Sequence, residues 1–323
     1  MKKNDFISNK IEIKKDNTIY LNGKPFFPIG LWKLPGQKEQ FLYEISQNGF
    51  NVFMTVYEKN FNTSLLNKAS KYGLKVIFDV GGIWYQLKHN PNKFSLSLIK
   101  KEIKKYMNHP ALFSYFLSDE PAWTKLPIEP LLTIYKFIKE VDPFHPIFIN
   151  HAPRNTIDEL AKYNRCCDIT GVDIYPVPEN MEHSDLPDKT ISCVGKYVDK
   201  MRVSVKNEKP IWVTLQGFSW NHYFNFKNYG NYPTWEEIKF MCYDAIVHGA
   251  NGLFFWGTHY IIEPAFWKIL FRIASELNKI SNIIVSETIS PSSLICENKE
   301  IVFIEKKYNG KNYIIAVNET HKA

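Results

Sequence analysis

Carboxyl groups and amides close several apolar runs of this sequence, and aromatic rings crowd the segments that follow them. The clearest case is Leu112-Phe113-Ser114-Tyr115-Phe116-Leu117-Ser118-Asp119-Glu120-Pro121. Read as a strand, period-two alternation places Ser114, Phe116, Ser118 and Glu120 on one face and Phe113, Tyr115 and Leu117 on the other. A glutamate shielded by aromatic rings has its charged form disfavoured, which keeps a carboxyl group protonated as a general acid. Asp173, with Tyr175 in Gly171-Val172-Asp173-Ile174-Tyr175-Pro176, and Asp79, at the end of the run Lys75–Val80 before Gly81-Gly82, are the candidates for a second carboxylate; strand-end aspartates also serve as structural hydrogen-bond hubs. Gln216 shares a face with Trp212 and Thr214 and is expected to point where Glu120 points. It can hydrogen-bond a hydroxyl but cannot act as nucleophile or base.

Asn150-His151 and the stretch Trp256-Gly257-Thr258-His259-Tyr260, with Glu263 close behind, add expected substrate contacts. Trp32, Tyr57, Trp84, Tyr85, Trp123, Tyr175, Trp220, Trp256 and Tyr260 lie at or just after the ends of the same runs. Flat rings pack on the C–H faces of sugars and shape a partly dry site, so their concentration here points to a carbohydrate cleft. No His, Cys and Asp spacing fits a metal site, no G-x-S-x-G elbow is present, and no nucleotide loop follows a strand. The expectation is an enzyme without metal or cofactor.

These groups need a scaffold that gathers strand ends. Eight β-rich runs, Phe27–Trp32, Asn51–Val56, Lys75–Val80, Ala111–Ser118, Ile147–Asn150, Asp168–Tyr175, Ile211–Gln216 and Gly252–Trp256, alternate with helix-sized segments. That order predicts an α/β fold, a parallel (β/α)8 barrel whose site lies at the C-terminal ends of its strands. An open doubly wound sheet alternates in the same way, but the bulky Gly30-Leu31-Trp32 is no phosphate loop. Gly49, Gly73 and Gly249 should stop helices, and Thr234 with Glu237 forms a capping box. Ahead of the barrel, residues 1–25 hold a hairpin through the Asn22-Gly23 turn, expected to cap the lower end. The barrel occupies 26–284, its last helix running over Pro264 to Ile280. Residues 285–323 form a small β appendage with strands at Ser293–Cys296, Ile301–Lys306 and Asn312–Val317, the last two joined at Asn309-Gly310.

The chain of 323 residues, 45% hydrophobic and 15% aromatic, can bury one large core. The formal charge of +7 is scattered, with Lys100 to Lys105 on a solvated helix face, and no basic run accompanies a nucleic-acid motif. Nucleic acid and membrane are therefore not expected partners; an oligosaccharide or polysaccharide is. Five cysteines without a C-x-x-C pair suit a reduced compartment. With no visible signal peptide the expected location is the cytoplasm, or outside the cell if a leader has been removed.

His109-Pro110-Ala111 through Asp119-Glu120-Pro121 resembles the fourth-strand motif of clan A glycoside hydrolases. Leu21-Asn22-Gly23-Lys24-Pro25-Phe26-Phe27-Pro28-Ile29-Gly30, Gly171 to Pro176 and His248-Gly249-Ala250-Asn251-Gly252-Leu253-Phe254-Phe255-Trp256 extend the likeness over most of the chain. The resemblance implies Glu120 as proton donor. It departs at Asp119, where the clan has Asn, and at Gln216, where it has the nucleophilic Glu. Three mechanisms follow. In an inverting one, Asp173, Asp79 or Glu263 activates water; in a hexosaminidase-like one, Asp119 orients a substrate acetamido group; in a retaining one, another residue replaces the nucleophile. A barrel that binds glycans without cleaving them is the non-enzymatic alternative.

Overall fold

The computed structural model describes residues 9–36, 38–56, 61–80, 96–181, 184–224, 231–292 and 294–320. Among these, fourteen strands are β1 (Ile11–Ile13), β2 (Ile19–Leu21), β3 (Lys24–Pro25), β4 (Ile29–Leu31), β5 (Val52–Met54), β6 (Lys75–Asp79), β7 (Leu112–Asp119), β8 (Ile147–His151), β9 (Ile169–Ile174), β10 (Ile211–Gln216), β11 (Gly252–Trp256), β12 (Glu287–Thr288), β13 (Ile301–Tyr308) and β14 (Lys311–Asn318). The helices are α1 (Glu39–Gln47), α2 (Thr63–Lys71), α3 (Leu96–Tyr106), α4 (Ile128–Val141), α5 (Ile157–Tyr163), α6 (Cys193–Ser204), α7 (Trp220–Phe224), α8 (Trp235–Val247) and α9 (Pro264–Ile284). Strands β4 to β11 close into a parallel barrel in sequence order, at the places the apolar runs predict.

The helix punctuation follows its local chemistry. Thr234 and Glu237 make the reciprocal capping box of α8, an arrangement that contributes about 1 kcal/mol. Gly49 and Gly249 follow their helices with φ of 95° and 100°, a left-handed conformation that costs a side-chain-bearing residue energy. On α3, Ile99, Ile103 and Tyr106 face the core while Lys100, Lys101, Lys104 and Lys105 are exposed, as the sequence predicts.

Two apolar layers result. One lies between strands and helices; the other fills the barrel with Phe113, Phe116, Phe148, Trp212 and Phe254. The large interior rings fit because glycines face them: a Cβ at Gly30 would come within 2.4 Å of the Phe254 ring, and one at Gly171 within 2.4 Å of Phe148. A methyl group at either position overpacks the interior.

Phe113 corrects a sequence expectation. Alternation puts it on one face with Tyr115 and Leu117, opposite Phe116, but it shares the barrel interior with Phe116, stacked 5.9 Å from Trp212. The register of β7 shifts against both neighbours: Val76 and Ile77 pair with Leu112 and Ser114, and Phe148 and Ile149 pair with Phe116 and Ser118. Each bulge sets two residues opposite one, and a slip of one residue turns a side chain to the other face.

The N-terminal hairpin closes the end of the barrel where the strands begin. Ile19 is buried with Ile11, Ile13 and Leu21 packed on the interior layer, and Asn9 donates from Nδ2 to the carbonyls of Pro110 and Leu112 at 2.6 Å each. At the other terminus, β12 to β14 form an antiparallel sheet whose Ile315 and Val317 are buried. The turn at Asn309-Gly310 forms as expected. The strand expected at Ser293–Cys296 does not: residues 294–296 are irregular and Ile295 is 93% exposed. The hydroxyl of Ser292 donates to Glu305 and accepts from the Leu294 amide, a local bond that competes with strand pairing. The two-residue β12 takes the place beside β13 instead.

Candidate active site

The end of β7 delivers two consecutive carboxyl groups to one cavity. Two devices make this possible. The second bulge sets Asp119 level with Asn150 of β8, and Glu120 then takes a left-handed φ of 46°. Its amide donates to the Asn150 carbonyl at 2.9 Å, and its own carbonyl accepts from the amide and hydroxyl of Thr124 at 3.0 and 2.9 Å. A left-handed non-glycine residue costs on the order of 1–3 kcal/mol and persists where surrounding bonds impose it, commonly at functional sites. Alternation alone turns only one of two neighbouring side chains inward.

Asn150 organises the group. Its Nδ2 donates one hydrogen bond to Asp119 Oδ1 and another to Asp173 Oδ1, both 3.0 Å, tying β7 to β9 through β8. Asp173 is also hydrogen-bonded to the Glu120 carboxyl and accepts from the Tyr175 hydroxyl. A bond between two carboxyl groups requires a proton on one of them.

The electrostatics favour that proton. Burial raises the pKa of Glu120, against the opposing pull of the Asp173 hydrogen bond and the Arg154 guanidinium. Asp119 is pushed from the ordinary 3.8 up to about 8, first by burial, then by the charge of Glu120, with Asn150 opposing and Asp79 adding. Asp173 is raised well above the carboxylate range by burial and by both neighbouring acids. Like charges in a partly dry cluster cannot all ionise at neutral pH, so the group retains protons.

The cavity holds about 500 Å³, with Asp119, Glu120, Asn150 and Asp173 on its floor. Its walls are Trp32, Tyr175, Met181, Trp220, Tyr223 and Trp256. Tyr175 and Trp256 stack 5.4 Å apart at 25°, presenting flat apolar surface above the acids. A cavity of this volume, lined by aromatic rings together with converging polar groups, is that of a small-ligand site.

The structure thus gathers eight of the residues singled out in the sequence: Trp32, Asp119, Glu120, Asn150, Asp173, Tyr175, Trp220 and Trp256. Others go elsewhere. Gln216 is fully buried, with Oε1 accepting from the Val177 amide at 3.0 Å and Nε2 donating to the carbonyls of Val177 at 2.6 Å and Phe218 at 3.2 Å. Its amide is consumed by backbone and does not line the cavity. His151 is buried against Asn164, 3.0 Å away. His259 packs on Tyr260 with ring centres 4.0 Å apart, and Glu263 is exposed as the residue before α9. Asp79 stands behind Asp119 without lining the cavity, close enough to raise its pKa. Trp123 is 48% exposed beneath the Arg154 guanidinium, 4.4 Å from its ring centre. Tyr57, Trp84 and Tyr85 lie outside the described residues.

Sequence reasoning missed three contributors. Tyr223 comes from the one-turn helix α7 after β10 and Met181 from a single 3-10 turn after β9, elements too short for a periodic signal. Arg154, three residues past β8, is the cation whose field reaches Glu120. Among the described residues, the His-containing group that could hold a metal ion is Asp244, His248 and Glu319, outside this cavity.

No protein-family model matches the sequence, and no curated protein matches it. Solved structures share its fold. A GH2 β-galacturonidase from Eisenbergiella tayi, bound to galacturonate, superposes on 83% of this chain with a TM-score of 0.60 at 17% identity, over 54% of its own length. A β-D-glucuronidase from Dictyoglomus thermophilum covers 77% of this chain with a TM-score of 0.55 at 18% identity, over 46% of its own length. The chain thus spans about half the length of these two enzymes. A glycoside hydrolase family 5 mannosidase from Rhizomucor miehei matches over its whole length and 86% of this chain, with a TM-score of 0.59 at 13% identity. At these identities the likeness is one of fold: this chain has the (β/α)8 barrel found in glycoside hydrolases.

Proposed function

We propose that this chain is a glycoside hydrolase cleaving an O-glycosidic bond, with Glu120 as proton donor and Asp173 as the second carboxylate. The observation that carries the reading is the hydrogen-bonded carboxyl pair Glu120–Asp173 at the floor of an aromatic-walled cavity. Glu120 gives its proton to the glycosidic oxygen as the C–O bond breaks, and Asp173 attacks the anomeric carbon. Glu120 then takes a proton from water, which displaces the sugar from Asp173. Carboxyl groups that interact directly leave no gap of roughly 6.5–9.5 Å for the water that an inverting enzyme activates, which favours a retaining mechanism. Asp173 attacks in the state that has the shared proton on Glu120, a state that burial and the neighbouring acids oppose and that the Tyr175 hydroxyl and the Asn150 amide, both donating to Asp173, favour; Asp119 stays neutral at its raised pKa.

A second reading rests on Asp119. Because it faces the cavity next to Glu120, it can hold an acetamido group that attacks in place of Asp173. Aryl glycosides and natural oligosaccharides, followed by NMR for the anomer formed first, separate these outcomes. Retention, with Asp173→Asn inactive until azide is added and a glycosyl azide then formed, supports Asp173 as nucleophile. Retention confined to 2-acetamido sugars supports Asp119. Inversion removes the nucleophile assignment, and glycan binding without product removes the hydrolase.

A further inference from the structure

A second polar cluster lies outside the barrel, where α6, α8 and the end of β14 meet. Asp244 and His248 stand four residues apart, on one face of α8 and its C-cap. Glu319 follows β14 and places Oε1 2.9 Å from His248 Nε2; Asp244 Oδ1 lies 3.9 Å from the same nitrogen. The three ligand atoms all fall within 4.8 Å of one another. The other ring nitrogen, Nδ1, is held by Asp199 at 2.8 Å, so Nε2 is turned toward the two acids. Carboxylate support on the far nitrogen is how proteins fix a metal-binding histidine.

Two further observations point to a ligand. Asp244 is 0% exposed; Oδ2 accepts from the Gly195 amide at 2.7 Å, but Oδ1 has no hydrogen-bond partner among the described residues. A buried carboxylate oxygen without a partner carries the full cost of its lost hydration. The site also depends on a glycine, because a Cβ at Gly195 would lie 2.3 Å from the imidazole and 2.6 Å from Nε2.

We propose that Asp244, His248 and Glu319 bind a divalent transition-metal ion of the zinc type, which pins the C-terminal sheet to the barrel helices. For bonds of roughly 2.0–2.1 Å in tetrahedral geometry, neighbouring ligand atoms stand about 3.3 Å apart. The distances of 2.9 and 3.9 Å bracket that value. One oxygen from each carboxylate and one nitrogen leave a fourth position for water. Binding at Nε2 displaces its proton to solvent. Asp199, Lys196 and Arg202 surround the site, and Arg202 also donates to the His248 carbonyl at 3.1 Å. The sequence gives no ligand spacing because Glu319 is 71 residues from His248.

The test uses the whole chain stripped with EDTA and titrated with zinc chloride by calorimetry and thermal denaturation, beside Glu319→Gln and Asp244→Asn. The expected result is one zinc per chain, a Tm that climbs with zinc, and at least tenfold weaker binding in each variant. Cobalt(II) gives a readout on the wild type alone, an intense four-coordinate visible band. Absence of stoichiometric zinc, equal zinc affinity in folded Glu319→Gln, or a weak octahedral cobalt spectrum each overturns the proposal and leaves an ion-paired histidine.

Discussion

Among the described residues, the acids around His248 and those at the barrel mouth differ in what neutralises them. Around His248, Asp199 and Glu319 contact an imidazole that burial opposes charging, yet their bonds and fields raise its pKa to about 9. At the barrel mouth, Asn150 donates to Asp119 and Asp173, Tyr175 donates to Asp173, and the cation whose field reaches Glu120 is Arg154. One cluster balances charge with a cationic imidazole; the other balances it by keeping protons on its acids. The difference is chemical: a cation fixes an ionised joint between elements, whereas retained protons can be transferred to a bound substrate.

The sharpest way to break that contrast is to remove the transferable proton. Glu120→Gln keeps the side-chain shape and should lower turnover of any cleaved glycoside by 10²-fold or more, with little change in Tm. Activity within a few-fold of wild type would reduce Glu120 to a structural acid.

The next largest effect is expected where a polar side chain serves only the backbone. Gln216→Ala leaves the Val177 amide and carbonyl without their partner and should cost about 2–3 kcal/mol, read from chemical denaturation. Gln216→Glu should also destabilise the chain, since a carboxylate meets the Val177 carbonyl, and should add no activity. A faster enzyme would show that position 216 reaches the substrate.

The proton-retaining character of the mouth appears in the pH dependence of stability. Asp119 has a folded pKa of about 8 against an ordinary 3.8, so the folded state holds a proton that the unfolded chain releases. Its contribution is fully present below about pH 4 and is lost as pH rises toward 8. Asp119→Asn cannot ionise, so its Tm advantage over the wild type should grow from pH 5 to pH 8. Because the carboxyl faces a solvated cavity, the gain at pH 8 should be about 1–2 kcal/mol rather than the full shift. A constant difference across pH would show that Asp119 is ionised throughout.

The smallest effect is expected at the rim. Trp123→Ala removes the ring beneath Arg154 and should cost about 0.5–1 kcal/mol in stability. A loss of activity beyond tenfold would bring Trp123 into the substrate's path.

Much of this arrangement was legible in the chain. The eight barrel strands and the capping box of α8 follow from apolar runs and nearby polar partners, interactions spanning a few residues that the sequence displays directly. Acidic side chains at the ends of β7 and β9 were legible for the same reason, because a parallel barrel gathers its strand ends at one mouth. Where Asp119 and Phe113 point was decided by pairing with β6 and β8, since a bulge exists only relative to its neighbour. Gln216 looks like a site residue until its partner appears 39 residues away in Val177. Asp244, His248 and Glu319 likewise become a cluster only when β14 packs on α8. Sequence by itself determined which groups the barrel carries and near which end; tertiary contacts decided which of them keep protons, because burial and neighbouring charge belong to the assembled fold.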